Sequence, residues 1–253
     1  MSAGIVLDGV SKRFGTLDVV ERVDLTVGPG SFVSVVGPSG CGKSTLLRMV
    51  AGLEAVSSGT VSIDGAPPAR ARATKRIAVV PQQPGLVPWR TVDGNARLLL
   101  DINPGATPAA HPDPAALLEE VGLAAFADRL PHELSGGMQQ RVALVRAVAL
   151  GAPLMLMDEP FASLDEITRT EMRSLLARLL VHHPATVLLV THSIPEAVTL
   201  SDRVLVVGPR PARLTADVTI DLARPRAADV EDDPAFVAHC VELRRRLHEA
   251  MGR

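Results

Sequence analysis

The stretch "GPSGCGKST", Gly37–Thr45, matches the phosphate-binding pattern G-x-x-x-x-G-K-[ST]. A β-branched run, Val33–Val36, precedes it, and a helical pattern, Lys43–Gly52, follows, which is the context that the pattern requires. Its glycines let the backbone fold around an anion with N–H groups pointing inward, and the helix N-terminus adds a partial positive charge. The sequence therefore predicts a site for the phosphates of a nucleotide.

Each polar residue at the end of this loop has an expected role. Lys43 should reach the β- and γ-phosphates, the Ser44 hydroxyl should bind Mg²⁺, and Thr45 should lie near the α-phosphate. The other loop residues expected to contact the nucleotide are Gly37, Pro38, Ser39, Gly40, Cys41 and Gly42. The chemistry needs no thiol here, so we interpret the cysteine as a small residue that fills the loop.

A second acidic motif, "LMLMDEP" at Leu154–Pro160, complements the phosphate loop. An apolar strand ends there in two carboxylates. Asp158 at the strand tip can hold Mg²⁺ through water, and Glu159 can orient or deprotonate an attacking water. Acids at strand ends are often only helix caps, but the phosphate loop elsewhere in the chain favours the functional interpretation.

Strands alternate with helices along most of the chain, which predicts a single α/β domain over residues 1–253 with a mainly parallel sheet. We expect an N-terminal antiparallel β-subdomain and the start of the core at 1–90, and an inserted helical subdomain at 91–135. The rest of the core should follow at 136–207, and a C-terminal extension at 208–253. Predicted strands are Ile5–Val10, Val23–Val27, Val33–Val36, Thr60–Asp64, Ile77–Val80, Leu154–Met157, Val187–Val190 and Val204–Val207. Predicted helices are Lys43–Gly52, Gly137–Leu150, Glu166–His182, Pro195–Leu200 and about Pro234 to Met251, with a loop at Asn103–Pro114.

Composition excludes several classes of protein. Apolar residues make up 47% of the 253 and charged residues 21%, which is typical of a globular protein. The net charge of −2 and the scattered basic residues argue against a general nucleic-acid binder. Cys41 and Cys240 have no metal or redox spacing. The longest apolar region, Val142–Met157, is interrupted by a charge, a glycine and a proline, so we expect any membrane role to need a partner.

The stretch "HELSGGMQQR", His132–Arg141, places a second phosphate-type turn before a helix. Ser135, Gly136 and Gly137 leave the first N–H groups of that helix open to an anion. One nucleotide cannot easily need both turns from one chain. The simplest explanation is that the turn closes over a nucleotide held by a second copy, with two nucleotides at a two-fold interface. Without this stretch, the other motifs would also fit a small-molecule kinase.

"LSGGMQQR" resembles the signature of the ATP-binding cassette (ABC) ATPases, and the resemblance covers essentially the whole chain. It implies the ABC-ATPase fold, ATP and Mg²⁺ as cofactors, and a homodimer. "SKRFG" places Phe14 where the family stacks an aromatic ring on adenine. "VVPQQPGLVPW" is similar to the glutamine loop and gives Gln82 as the γ-phosphate sensor and an additional Mg²⁺ ligand.

The resemblance implies roles for further residues. "SLD", Ser163–Asp165, resembles the D-loop that crosses the dimer interface, and "VTHSIPEA" resembles the histidine loop, which gives His192 a contact with the γ-phosphate. The family usually has Asp where Ser193 stands, which weakens the expected orientation of His192. The implied catalytic residues are Glu159, His192, Lys43 and Gln82. Residues implied to face the nucleotide of the other copy are Ser135, Gly136, Gly137, Gln139 and Asp165.

The favoured function is the ATP-hydrolysing subunit of an importer, attached to the cytoplasmic face of the membrane through permease partners. "QPGLVPW", Gln83–Trp89, is an apolar segment beside Gln82 that suits a partner's helix. "LVPW", "TVDGNA", "GPRPARL", "DLARPR" and "DPAF" are similar to the cassette subunits for nitrate, alkanesulfonate and taurine. Such importers also imply a solute-binding protein outside the cell, which acts indirectly.

Two other functions and one alternative stay open at this point. An exporter ATPase shares every catalytic motif, and only the subgroup resemblance argues against it. A soluble ABC ATPase that acts on nucleic acid or ribosomes usually carries two cassettes or long coiled-coil inserts, which are not evident here, so we expect no nucleic-acid partner. Trp89 has the alternative of being an ordinary buried tryptophan.

Overall fold

The computed structural model describes residues 3–108, 110–226 and 228–252. Within these residues the backbone forms nine strands and eight α-helices. The strands are β1 (Ile5–Phe14), β2 (Leu17–Val27), β3 (Phe32–Val36), β4 (Ser58–Ile63), β5 (Ile77–Val80), β6 (Leu154–Asp158), β7 (Thr186–Thr191), β8 (Arg203–Val207) and β9 (Leu214–Thr219). The helices are α1 (Lys43–Val50), α2 (Pro68–Ala73), α3 (Val92–Asp101), α4 (Pro114–Glu120), α5 (Gly136–Ala149), α6 (Glu166–His182), α7 (Ile194–Leu200) and α8 (Pro234–Ala250).

Strands β1, β2 and β4 form an antiparallel sheet in the order β2-β1-β4. Alternate side chains of β1 are buried, as expected for a strand with one face on the core. The turn Gly15–Thr16 joins β1 to β2, and Gly15 has a φ of 57°, which glycine adopts readily. Both strands are longer than predicted, because the hairpin pairing continues through polar residues that have no clear apolar pattern.

The larger sheet has the order β5-β6-β7-β3-β8-β9, and its first five strands are parallel. Strands β3 and β7 are buried along their whole length, which explains their nearly continuous apolar sequences. Because parallel strands end at one edge, the carboxyl ends of β3, β6 and β7 lie side by side there. The loop that starts at Gly37, the Asp158–Glu159 pair and His192 all follow these three ends. The predicted fold class, α/β with a mainly parallel core and an antiparallel N-terminal sheet, is confirmed.

Helices α3 and α4 lie within residues 91–135, where we expect a helical subdomain, and their apolar faces share one core with α5, β5 and α6. The predicted loop Asn103–Pro114 contains a short 3₁₀ helix, Pro104–Ala106, and α4 begins at its last residue; Ala109 lies outside the described residues. Helix α5 begins at Gly136, one residue earlier than predicted, because Ser135 caps it. None of the helices in the described part of the chain has both the length and the apolar character needed to cross a bilayer.

The C-terminal extension packs on the far edge of the larger sheet. Strand β9, which the sequence analysis missed together with α2, pairs antiparallel with β8. Helix α8 buries Phe236, Cys240 and Leu243 against α7 and β8, so the tail helix packs on the body. Burial raises the pKa of the Cys240 thiol, which is consistent with a packing role for this residue.

Candidate functional site

The phosphate loop leaves no room for side chains at two of its glycines. A Cβ on Gly37 would lie 2.7 Å from the carbonyl oxygen of Val207. A Cβ on Gly42, which has a φ of 123°, would lie 2.7 Å from the carbonyl oxygen of Val19. The loop therefore keeps its path only with glycine at both positions, as the sequence pattern predicts.

Lys43 is folded back into its own loop. Its side chain is 3% exposed, and its Nζ donates hydrogen bonds to the carbonyl oxygens of Gly37 (2.9 Å) and Pro38 (3.0 Å). The same nitrogen lies 3.9 Å from Glu159 Oε1. Cys41 is buried in the loop, in agreement with its interpretation as a filler. The ammonium group is thus held inside its own loop by two carbonyl oxygens and faces Glu159.

Ser44 and Asp158 bring two oxygen ligands together. Ser44 Oγ donates a 2.7 Å hydrogen bond to Asp158 Oδ1 across the space between α1 and the end of β6. A hydroxyl and a carboxylate oxygen are the kind of ligands that Mg²⁺ prefers, and Mg²⁺ commonly takes only one or two from the protein. This pair therefore fits a magnesium ion bound together with phosphate oxygens. Thr45 follows on the first turn of α1 and is half-buried.

Glu159 lies in a strained backbone position directly after β6. Its φ is 45°, a region that residues with a Cβ rarely adopt. Its own N–H donates to the Val190 carbonyl (2.8 Å), and its Oε2 is 2.9 Å from His192 Nδ1. Because Oε1 faces Lys43, the carboxylate is held between the ammonium and the imidazole. Such a carboxylate is placed to orient a water near the phosphate loop.

The turn that carries His192 is held by hydrogen bonds from its neighbours. Thr191 Oγ1 donates to Glu196 Oε2 (2.6 Å) and accepts from the Ser193 N–H (3.0 Å). Ser193 Oγ in turn caps α7 by accepting from the Glu196 N–H (3.3 Å). Serine therefore supplies the helix cap that the more usual aspartate would also supply. Glu196 is buried, and this burial raises its pKa despite the hydrogen bond from Thr191.

Phe14 ends β1 with its ring 46% exposed. Lys12 Nζ lies 4.5 Å from the ring centroid and is itself bound to Glu54 (2.6 Å) and to the Ala55 carbonyl (2.7 Å). A cation over the ring restricts its orientation. The exposed π-surface suits the stacking of a base, as the resemblance implies.

The second phosphate-type turn lies beside the D-loop. Ser135 Oγ accepts from the Met138 N–H (3.3 Å), and a Cβ on Gly137 would lie 2.9 Å from Thr168 Cγ2. Asp165 caps α6 through the Thr168 N–H (3.0 Å) and hydroxyl (2.7 Å), and these bonds lower its pKa. A Cβ on Gly136 would meet no heavy atom of the described residues within 4 Å, so the turn is open at that point.

Gln139 has a structural role in this structure. Its Nε2 donates to the carbonyls of Pro131 (3.0 Å) and Leu134 (3.3 Å), which fixes the segment that leads into the turn. Its implied contact with a nucleotide of the other copy stays a prediction.

The glutamine loop is fixed by two buried side chains that sequence reasoning missed. Asn95 on α3 accepts from the Val87 N–H (2.7 Å) and donates to the Val87 carbonyl (3.1 Å). Arg146 on α5 donates to the carbonyls of Pro84 (2.6 Å) and Gly85 (2.9 Å), and burial lowers its pKa. Gln82 itself is exposed.

Trp89 lies at the end of the same loop and is 79% exposed. The alternative of an ordinary buried tryptophan is therefore wrong.

The structure brings together five of the predicted residues at one edge of the sheet: Lys43, Ser44, Asp158, Glu159 and His192. The other predicted residues lie on or next to different strands and helices: Phe14 on β1, Gln82 after β5, Ser135 before α5 and Asp165 before α6. Glu196, Asn95 and Arg146 had only weak signals in the sequence, since a polar residue in a helical pattern is normally exposed.

Three comparisons with known proteins point to one family. The family model described as ABC transporter matches residues 20–162. The aliphatic sulfonates import ATP-binding protein SsuB 1 of Xanthomonas axonopodis pv. citri (strain 306) is 45% identical over 229 residues, which cover 89% of each chain. SsuB 2 of Burkholderia cenocepacia (strain HI2424), also named an aliphatic sulfonates import ATP-binding protein, is 41% identical over 94% of this chain and 86% of that protein.

A comparison with solved structures matches the fold of the chain to that of an ATP-binding cassette. The dimeric post-hydrolysis state of an ATP-binding cassette, bound to ADP and Pi, matches with a TM-score of 0.73 and 30% identity. The match covers 87% of this chain and all of that one. The phosphate loop, the paired acids and the histidine lie at one sheet edge, and the relatives match along nearly the whole chain. The chain therefore belongs to the ABC transporter family, as a subunit that binds and hydrolyses ATP.

Proposed function

We propose that this chain is the energy-coupling subunit of an importer for aliphatic sulfonates or closely related small solutes. The names of the relatives at 41–45% identity support the import direction and the class of solute. The solute itself would be selected by other subunits, a permease and a solute-binding protein outside the cell. The chain would bind the permease at the cytoplasmic face of the membrane as a peripheral protein.

In this proposal the phosphates of ATP lie in the loop Gly37–Thr45, and the adenine stacks on Phe14. Lys43 exchanges its two carbonyl partners for the β- and γ-phosphate oxygens. Glu159 orients the attacking water in line with the γ-phosphate and accepts its proton. Lys43 and His192 stabilise the charge that develops on the transferred phosphate.

Magnesium fits the proposal through Ser44 and Asp158, whose oxygens are already in contact. When bound, Mg²⁺ would neutralise charge on the phosphate oxygens. Gln82 lies on the exposed glutamine loop and would complete this group of ligands only after the loop moves towards the nucleotide. The loop is thus the element that senses whether a γ-phosphate is present.

The single observation that supports a shared site is the open turn at Ser135–Gly137. It presents helix N–H groups as the phosphate loop does, yet its contacts are with Thr168 and its own helix, whereas those of Lys43 are with its own loop and Glu159. In a two-fold dimer, this turn would close over the γ-phosphate held by the other copy. Each ATP would then need both chains.

Mixed dimers test the shared site directly. Lys43→Ala removes the phosphate grip and Ser135→Arg blocks the turn, so each variant alone should be inactive in the assembled transporter. An equal mixture yields one intact site in each mixed dimer, which restores about a quarter of the wild-type sites. The matched control is each variant alone, taken through the same mixing procedure at the same total concentration. If the mixture stays as inactive as its parents while mass measurements show mixed pairs, the shared site is wrong.

A further inference from the structure

The segment "GPRPARL", Gly208–Leu214, forms the turn after β8 and ends at the first residue of β9. It has no role in the proposed reaction. It is joined to β2 of the antiparallel sheet by two hydrogen bonds: the Ala212 N–H donates to the Val19 carbonyl (2.8 Å), and the Glu21 N–H donates to the Ala212 carbonyl (2.9 Å). The turn therefore bridges the two sheets of the molecule.

This bridge lies against the back of the phosphate loop. The Cβ positions of Gly37 and Gly42 would lie 2.7 Å from the Val207 carbonyl and 3.1 Å from Ala212 Cβ, respectively. Contacts this close leave no room for a side chain on either glycine, so the loop backbone packs directly against the end of β8 and Ala212. The loop is thus confined between β2 on one side and the end of β8 with its turn on the other.

Arg210, at the centre of the turn, reaches the middle of the phosphate loop. Its Nε and Nη2 donate to the Gly40 carbonyl at 3.2 and 2.5 Å. Gly40 has a φ of 72°, in the left-handed region that glycine adopts readily. A guanidinium that holds one carbonyl with two donors fixes that peptide plane more firmly than a single neutral hydrogen bond would.

The same peptide unit carries the Cys41 N–H on its other side. That N–H is 3.4 Å from the Pro38 carbonyl, which is long for a hydrogen bond, so a phosphate oxygen can replace this partner at little loss. A cation on the carbonyl oxygen also polarises the peptide and makes its N–H a better donor. Arg210 therefore acts on the face of the loop that turns towards an anion without needing to touch the anion.

We propose that Arg210 is a positioning residue of the nucleotide site: it holds the Gly40–Cys41 peptide with its carbonyl outward and its N–H available to the phosphates of ATP or ADP. The proposal rests on the assignment of those phosphates to Gly37–Thr45. Since ATP, ADP and the transition state share these phosphates, Arg210 contributes uniform binding, which changes KM and leaves kcat unchanged.

The test compares Arg210→Gln with Arg210→Lys and with Arg213→Gln. Arg213 lies in the same turn, but its side chain points to Glu21 at the surface (2.7 Å), which makes it a matched control. For Arg210→Gln we expect Kd for MgATP and MgADP to rise about three- to tenfold and KM with them, with kcat within about twofold. The lysine variant should recover part of the affinity, and Arg213→Gln should behave as wild type.

Hydrogen exchange of the loop amides in nucleotide-free protein supplies the second readout. The Ser39–Gly42 amides should exchange faster in Arg210→Gln than in Arg213→Gln, because the loop has lost its anchor. Equal affinity and equal exchange in these two variants would overturn the role of Arg210. If the glutamine variant does not fold, the lysine variant decides: unchanged affinity and unchanged loop exchange would then contradict the proposal.

Lys43→Ala separates this inference from the assignment on which it rests. If Lys43→Ala loses ATP affinity and Arg210→Gln does not, only the role of Arg210 fails. If neither variant loses affinity, the assignment of the phosphates to this loop fails as well.

Discussion

At the scale of single residues, Glu159 shows how the fold places a reactive group. A φ of 45° is unfavourable for a residue with a Cβ, and such strain persists only where surrounding contacts impose it. Here the contacts are the backbone bond to Val190 and the side-chain bond to His192. Together they hold the carboxylate against the phosphate loop, where the proposed reaction needs a base.

Glu159→Gln tests that role while keeping the shape of the side chain. The amide cannot accept a proton from water, so we expect ATP hydrolysis to fall by about 10²- to 10⁴-fold. ATP binding should remain, since Lys43 and the loop are unchanged, and the variant should accumulate as an ATP-bound dimer in size-exclusion chromatography. Glu249→Gln on the exposed face of α8 is the control and should hydrolyse ATP normally. If Glu159→Gln hydrolyses ATP within twofold of the wild-type rate, Glu159 is not the general base.

At the scale of elements, Glu196 joins β7, α6 and α7. Its carboxylate accepts from Thr191 at the end of β7 (2.6 Å) and lies 3.7 Å from Arg169 Nε on α6. Burial is the largest influence on this group and raises its pKa above the ordinary value of 4.5, so the hydrogen bond and the arginines compensate only in part for lost hydration. The folded protein therefore prefers the protonated form of Glu196 more than the unfolded chain does.

Glu196→Gln should reveal this preference as a pH-dependent gain in stability. A raised pKa means that the stabilising contribution is complete below about pH 4.5, the unfolded value, and is lost as the pH rises through the folded value. Glutamine stays neutral and still accepts from Thr191. The Tm of the variant minus that of wild type should thus be near zero at pH 4 and grow towards pH 7, with Glu249→Gln as the exposed control. If this difference in Tm does not change with pH, or becomes negative, burial does not raise the pKa of Glu196 in the way described.

The sequence could predict elements whose pattern is local. Buried parallel strands such as β3 and β7 are nearly continuous apolar runs, and the phosphate loop has its own spacing. Strand β9 was missed because half of its residues are exposed at the sheet edge, and its pairing with β8 is a tertiary contact. Glu196 was missed for the same kind of reason: its importance comes from Arg169, which lies on another helix.

At the scale of the whole molecule, the sheet edge that carries the candidate site was predictable, and the exposed position of Trp89 only in part. Parallel strands bring their ends together whatever loops connect them, so the gathering of Lys43, Asp158 and His192 follows from the fold class. The presentation of Trp89 depends instead on Asn95 and Arg146, which fix the glutamine loop from two different helices. The contact of Arg146 with Pro84 joins residues that lie far apart in the sequence, and no spacing rule reveals it.

Trp89→Ser is the variant that separates coupling from catalysis. An indole that is 79% exposed at the end of a loop anchored by hydrogen bonds has the character of an interface anchor, and truncating such a residue typically costs about 2 kcal/mol or more of binding. We therefore expect the affinity for the permease to fall at least about tenfold in co-purification from detergent. The isolated chain should keep its Tm and its ATP affinity, because little apolar surface is lost from the fold.

Val241→Ser replaces another exposed apolar side chain, on the outer face of α8, and should leave the complex intact. If Trp89→Ser instead co-purifies with the permease as well as Val241→Ser does, the loop is not the docking surface. The nucleotide site would then have to be coupled to the permease through another surface of the chain. If the Tm of Trp89→Ser falls below that of wild type, the indole stabilises the fold of the glutamine loop, and its role as an interface anchor is contradicted.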